Sequence, residues 1–252
     1  MDEISLTTYL IVCPLIFIGS FMDAIAGGGG LITLPAYILA GVPMHNALAT
    51  NKLSSVIGAV VSAFRFWRSR LVDLGLVFPA IIAALIGSGI GARLTLMVDE
   101  KYLEYMLMIV LPLAAFAVLR PKAFDESKAW TLPRGKAMLL TAAISFVVGG
   151  YDGFYGPGTG TFLILLYVAV VKMDVRNANG SSKMINLASN IAAFSMFIIS
   201  GKTYIMLGLT AGLFSIAGQW IGSGLAIKKG ALIVRPVVLI VLGLLFLKII
   251  TS

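Results

Sequence analysis

The feature that most narrows the folds open to this chain is a succession of apolar segments long enough, or nearly long enough, to cross a bilayer. They fall at 6–26, 31–41, 44–66, 74–97 and 101–119, then, after a polar stretch over 120–136, at 137–155, 160–171, 175–199, 204–226 and 231–251. A hydrocarbon core takes about 20 residues of helix. Within it the backbone must satisfy its own hydrogen bonds, so the spans are expected to be helical. Of 252 residues, 12% are charged, against about 25% in soluble domains. The pattern predicts an all-α polytopic membrane protein. A net charge of +8 would point to nucleic acid in a soluble chain. Here loops that keep Lys and Arg on the cytoplasmic side account for it, and no nucleic-acid partner is expected. The single Cys13 has no internal disulfide partner and is expected to be a small packing residue. The acidic start MDEISLTTYL leads straight into the first span, so no cleavable signal peptide is expected.

The two sets of segments share one rhythm: long, short, long, long, long. A shift of 131 residues lays Lys52 on Lys183, Gly87 on Gly218, Ile90 on Ile221 and Gly91 on Gly222, and a shift of 129 lays Asp23 on Asp152. This predicts an internal repeat, with a first transmembrane repeat over 1–120, a cytoplasmic loop over 121–136 and a second repeat over 137–252. Five segments per repeat is an odd number, so the repeats should be inverted. Charge agrees. With residues 65–70 in the cytoplasm, that side collects Arg65, Arg68, Arg70, Arg120, Lys122, Lys128, Arg134, Lys136, Lys172, Arg176, Lys228, Lys229 and Arg235, while Arg93, Lys101, Lys202 and Lys248 lie opposite. Both termini are then non-cytoplasmic.

Residues 31–41 rise only about 16 Å as a helix, and they follow DAIAGGGG. The chain must therefore break at membrane depth, and Gly156-Pro157-Gly158-Thr159-Gly160 marks the matching place in the second repeat. Broken helices in matching positions of inverted repeats point to a transporter's binding site. Gly27, Gly28, Gly29 and Gly30, with Gly156, Gly158, Thr159 and Gly160, are expected to leave backbone N–H groups free at a helix start, where an anion is favoured. The plainer alternative is close helix packing through small residues.

ALATNKLSSVIGA from Ala47 and ANGSSKMINLASNIAA from Ala178 each carry a lysine after two small polar residues, Thr50-Asn51 and Ser181-Ser182. Helical spacing puts Asn186 and Asn190 on the face of Lys183, and Ser55 on that of Lys52. A lysine at the centre of a span costs about 2.5–3.5 kcal/mol. Three explanations compete for Lys52 and Lys183: snorkelling to an interface, pairing with the aspartate of the same half, or facing a central cavity that holds an anion. Asp23 and Asp152 are either proton or cation coupling sites or structural partners of the lysines. Tyr151, Tyr155, Thr159, Thr161 and Gln219 have no equal in the first half, so a substrate sitting off-centre is expected to lean toward them. His45, beside Pro43, is read as a solvated structural residue. No HExxH, Cys/His cluster or P-loop is present, so neither metal, cofactor nor catalytic residue is expected. A Ser–Lys pair adjacent in sequence points about 100° apart on a helix, poor geometry for catalysis.

DAIAGGGGLITLP, then ATNK, then a second half with GPGTG and GSSK, resembles the TauE/SafE family of sulfite exporters over essentially the whole chain. The resemblance implies a homodimeric inner-membrane transporter of small anions such as sulfite, sulfoacetate or other organosulfonates. It places the site at Gly27 to Gly30 with Asn51 and Lys52, and at Gly156 to Gly160 with Ser182 and Lys183. Pro157 and Thr159 depart from an all-glycine run. An inside-negative potential drives a monovalent anion outward, about 2.3 kcal/mol per 100 mV, so export needs no coupled ion; uptake would need protons or cations carried at Asp23 or Asp152. An anion channel and a cation carrier are the rival readings.

Overall fold

A computed structural model describes residues 4–99 and 132–230, with 102, 232–233 and 236–237. Among the described residues the elements are α1 (Leu6–Ala26), α2 (Gly30–Leu39), α3 (Met44–Arg68), α4 (Leu74–Met97), α5 (Arg134–Phe154), α6 (Thr159–Leu166) with a π-helical turn Tyr167–Val171, α7 (Val175–Ile199) and α8 (Ile205–Lys229). Six of these helices, all but α2 and α6, are long and apolar enough to cross a membrane. The described residues are all-helical, as their apolar segments require. The expected segment 101–119, nearly all of 231–251 and the loop up to residue 131 lie outside the described residues. Arg134 and Lys136, expected in that loop, already belong to the first turn of α5.

Local signals set the helix ends. The Ser5 and Asp73 side chains accept from backbone N–H groups of Thr8 and Leu76 to start α1 and α4. Asp174 accepts from Arg176 and Asn177 at the start of α7. Such side chains stand in for the partners that a first helical turn lacks. Gly27, at φ +76°, ends α1, a conformation that glycine adopts without steric cost.

Packing fixes the directions. Gly208 and Gly212 of α8 lie against Leu53 and Ile57 of α3, and Gly218 and Gly222 lie against Phe17 and Phe21 of α1. These three helices therefore run the same way. Since α1 and α3 are parallel, the short α2 between them must run back, so α1–α2 is a hairpin that enters and leaves on one side. Likewise Gly87 and Gly91 of α4 lie against Phe146 and Gly150 of α5. The small residues let backbones touch, the usual device for packing helices in lipid. α3 and α7 run antiparallel: Phe66 abuts Gly180 near the start of α7, while Asn46 donates to the Lys202 carbonyl just past its end at 2.8 Å.

The two hairpins, α1–α2 and α5–α6, meet at their tips. A methyl group on Gly27 or Gly160 would collide with the other's backbone, and one on Gly30 would come within 2.9 Å of Pro157. Apolar clusters flank this meeting point. One gathers Ile25, Val77, Ala80, Ala84, Leu163 and Tyr167; the other gathers Val12, Ile16, Leu34, Tyr37, Ala92 and Phe197. Outside, Phe78, Ile82, Ile86, Ile90 and Leu94 repeat every four residues along α4 and are exposed, an apolar stripe suited to lipid.

Candidate functional site

The hairpin tips raise a chemical problem, because a helix ending inside the protein leaves its last carbonyls without partners. The α1 end is completed by the second half of the chain. Lys183 Nζ donates to the Asp23 carbonyl, Asn179 Nδ2 to that of Ile25 at 2.9 Å, and Thr161 Oγ1 to that of Ala26 at 2.7 Å. The Thr161 N–H adds a bond to the Gly27 carbonyl at 3.2 Å. The α5 end is completed differently: Thr95 Oγ1 of α4 donates to the Phe154 carbonyl at 2.6 Å. Ammonium groups at helix C-termini also sit at the favourable end of the helix dipole.

The four intramembrane charges form two ion pairs, and the pairs cross between halves. Lys52 Nζ lies 3.0 Å from Asp152 Oδ2, and Lys183 Nζ lies 3.2 Å from Asp23 Oδ2. Of the three competing explanations, pairing of each lysine with the aspartate of its own half is not what the structure shows. The reason is the tip-to-tip arrangement, which lays the end of each hairpin against the long helix of the other half. Snorkelling is overturned with it, since the side chains are only 4% (Lys52) and 1% (Lys183) exposed. Further bonds hold the carboxylates. Ser189 Oγ donates to Asp152 Oδ2 at 2.6 Å, and Gln219 Nε2 to Asp23 Oδ2 at 2.9 Å. The two pairs differ in exposure, 15% for Asp23 against 3% for Asp152.

Between the pairs is a polar cavity of about 40 Å³, room for a few water-sized bodies. Of the sequence-predicted residues, Asp23, Gly27, Gly29, Gly30, Asn51, Lys52, Ser55, Asp152, Gly156, Asn186, Asn190 and Gln219 line it, joined by Ser20, Thr33, Ala59 and Ser215. No hydrogen bond is made by the N–H groups of Gly28, Gly29 or Gly30 to any described residue. Asn51 Oδ1 and Gln219 Oε1 are buried acceptors without a partner among the described residues. While Asp23 is ionised its carboxylate only accepts, so the Gln219 amide turns Nε2 toward it.

Gly28, Gly158, Thr159, Gly160, Thr50, Ser181, Ser182 and Lys183 are not on the cavity wall. Several are committed elsewhere. Thr50 Oγ1 accepts from the Tyr204 N–H, Ser182 Oγ donates to the Asn179 carbonyl, and Thr159 Oγ1 donates to that of Gly156. Lys183 lies behind Asp23. Most of the second-half group Tyr151, Tyr155, Thr159, Thr161 and Gln219 is also off the cavity wall. Tyr151 OH donates to the Pro157 carbonyl and Thr161 to that of Ala26, so of that group Gln219 alone lines the cavity. His45 is half-buried and its Nε2 lies 3.1 Å from the Thr95 carbonyl. Among the described residues no group of His, Cys, Asp and Glu is placed to hold a metal ion.

Comparison with known proteins places this arrangement. The sulfite exporter TauE/SafE family matches residues 12–249. The chain belongs to the TauE/SafE family. Relatives of this TauE/SafE member include a "Probable membrane transporter protein" of Haemophilus influenzae, 35% identical over 89% of this chain and 87% of its own length. ORF9 of Sinorhizobium sp., 34% identical, covers 89% and 85%, and YfcA of Escherichia coli K12, 33% identical, covers 89% and 82%; both carry the same description. No solved structure matches. The protein is thus a multi-span membrane transporter, and the family to which it belongs is one of transporters rather than enzymes.

Proposed function

We propose that the protein is a secondary carrier of small anions, sulfite, sulfoacetate and other organosulfonates among them, working by alternating access around the cavity at the hairpin tips. One observation carries the reading: a polar cavity lined by intramembrane charges from both halves of the chain, beside the unbonded amides that open α2. Amide N–H groups at a helix start favour an anion, and the Lys52 ammonium lines the same space. At about 40 Å³, the cavity fits a compact oxyanion better than a long sulfonate.

Alternating access needs two units able to rock against each other, and an inverted repeat supplies them. Support comes from contacts recurring under the sequence shift. Gly87 meets Phe146 and Gly150 as Gly218 meets Phe17 and Phe21. Left-handed backbone recurs in pairs, at Gly27 and Gly156, at Gly41 and Lys172, and at Arg70 and Gly201. A carrier of this kind is placed in the inner membrane as a homodimer with both termini outside the cytoplasm. An inside-negative potential drives its monovalent cargo outward unless a cation travels with it.

A thermal-shift screen of purified protein against sulfite, sulfate, sulfoacetate, taurine, lactate and thiosulfate tests the reading. A cargo at 100 times its Kd stabilises by about 2.7 kcal/mol. Lys52→Gln is expected to abolish the shift and the saturable counterflow of the same anion in liposomes. Lys52→Gln protein that keeps both would defeat the anion site.

A further inference from the structure

We propose that the cavity takes up one proton, on the Asp23 carboxylate, with each monovalent anion it binds, so that the protein is a proton–anion symporter. The inference rests on the anion-carrier reading and adds the companion ion. It starts from charge balance. Lys52 with Asp152 and Lys183 with Asp23 make a buried cluster of zero net charge. An anion entering alone would leave one uncompensated charge against this buried cluster, which proteins avoid because desolvation of a lone charge is so costly. A compensating positive charge must arrive with it.

Geometry selects where that charge lands. Asp23 is the more exposed carboxylate of the two, and it shares the cavity wall with Gly27, Gly29 and Gly30. The Gly27 N–H is bonded to the Asp23 carbonyl, so an anion held on the free N–H groups of Gly29 and Gly30 lies in the same space as the Asp23 charge, and two like charges there cannot both persist. The groups facing Asp23 are Lys183 of α7 and Gln219 of α8, with Lys52 of α3 and Asp152 of α5 on the same cavity wall. Tyr37 of α2 is turned away to Ser54. Asp152 is less available, its side chain being only 3% exposed against 15% for Asp23, while each carboxylate is held on one oxygen by two donors.

The step balances. A proton from the loading side joins the Asp23 carboxylate to give the neutral acid, while the anion binds the α2 amides and the Lys52 ammonium. Lys183 keeps its charge and its bond to the Asp23 carbonyl. The cluster plus cargo is again neutral, and the acid is now a hydrogen donor beside the cargo rather than a repelling charge. The unpartnered acceptors Asn51 Oδ1 and Gln219 Oε1 fit such a cavity, because buried acceptors require a donor and the protonated Asp23 carboxyl supplies one on the same wall. A sodium ion fits less well, since a cavity of about 40 Å³ has little room for a second body with its ligands. Cargo then moves without net charge. Its direction follows the summed anion and proton gradients, and export occurs when internal cargo exceeds what the proton gradient sustains.

The test uses the full chain in liposomes, with lactate or another monovalent anion retained by the screen and a trapped pH dye. Expected is one proton per monovalent anion, no response to an imposed potential, and about tenfold accumulation per unit of pH gradient. Flux driven by voltage and indifferent to pH, or flux that requires sodium, overturns the proposal. Asp23→Asn, a permanently uncharged residue, should move any residual anion without a proton, so that its flux follows voltage. Residual flux that still acidifies the lumen overturns the assignment to Asp23. If that variant does not fold, the wild-type stoichiometry and voltage response still decide. Wild-type protein that exchanges no anion at any pH or potential would instead sink the carrier reading itself.

Discussion

At the scale of residues, the crossing of the ion pairs is the observation with the most consequences. Removing one partner of a buried pair strands the other charge and costs about 3–5 kcal/mol. Lys183→Met is therefore expected to be among the most destabilising single changes in the chain, although Lys183 is not on the cavity wall. Crossing can be read directly from double-mutant cycles in a mild detergent. Lys183 with Asp23, and Lys52 with Asp152, should each show coupling of about 0.5–3 kcal/mol, larger than Lys183 with Asp152 or Lys52 with Asp23. Stronger coupling within halves would contradict the pairing at 3.0 and 3.2 Å. The four charges were legible in the sequence because each stands alone in an apolar run. Their partners were not, because linear spacing holds no record of which hairpin end meets which long helix. Ser20 could have been found, lying one helical turn before Asp23 on the same face. Asn179 and Thr161 could have been sought as donors for a helix end buried in protein.

At the scale of elements, the hairpin tips decide how the halves fit. Gly27 and Gly41 both have left-handed backbone, φ +76° and +81°, but Gly27 presses on the Gly160 backbone while nothing lies within 4 Å of a methyl group on Gly41. Gly41→Ala should thus cost only the conformational strain of about 1–2 kcal/mol. Gly27→Ala adds a backbone collision and should lower the unfolding temperature markedly further. Equal effects would show that the tips are not in tight contact. Thr161→Val, which deletes the 2.7 Å bond to the Ala26 carbonyl, is expected to cost about 1–3 kcal/mol, the range for leaving a buried acceptor unsatisfied. The sequence located the breaks and most helix ends, three of the segments matching their helices residue for residue. It could not tell that α1, with 21 residues and the length of a full span, is one arm of a hairpin. Length and hydropathy are identical for an arm and a span; only contact with parallel neighbours separates them.

At the scale of the whole molecule, the question is whether the halves are inverted, because alternating access by rocking depends on it. The antiparallel course of α3 and α7, helices that the shift of 131 residues lays on each other, supports inversion. So does the gathering of charge at one end, where Arg65 packs over the Trp220 ring at 4.2 Å, Arg134 lies 3.4 Å from Asp73, and Arg176 abuts Gly230. Basic residues concentrated at a single end fit the cytoplasmic side. The sequence-level argument relied partly on residues 101–131, so an independent test is needed. Arg70 and Gly201 occupy equivalent places after α3 and α7, both with left-handed backbone. In a Cys13→Ser background, Arg70→Cys should react with a membrane-impermeant maleimide from the cytoplasmic side, and Gly201→Cys from the opposite side. Halves in parallel orientation would expose both cysteines on one side. The hairpins would then enter the membrane from the same side, their tips could not meet end to end at Gly27 and Gly160, and crossed pairing of the charges would lose its geometric cause.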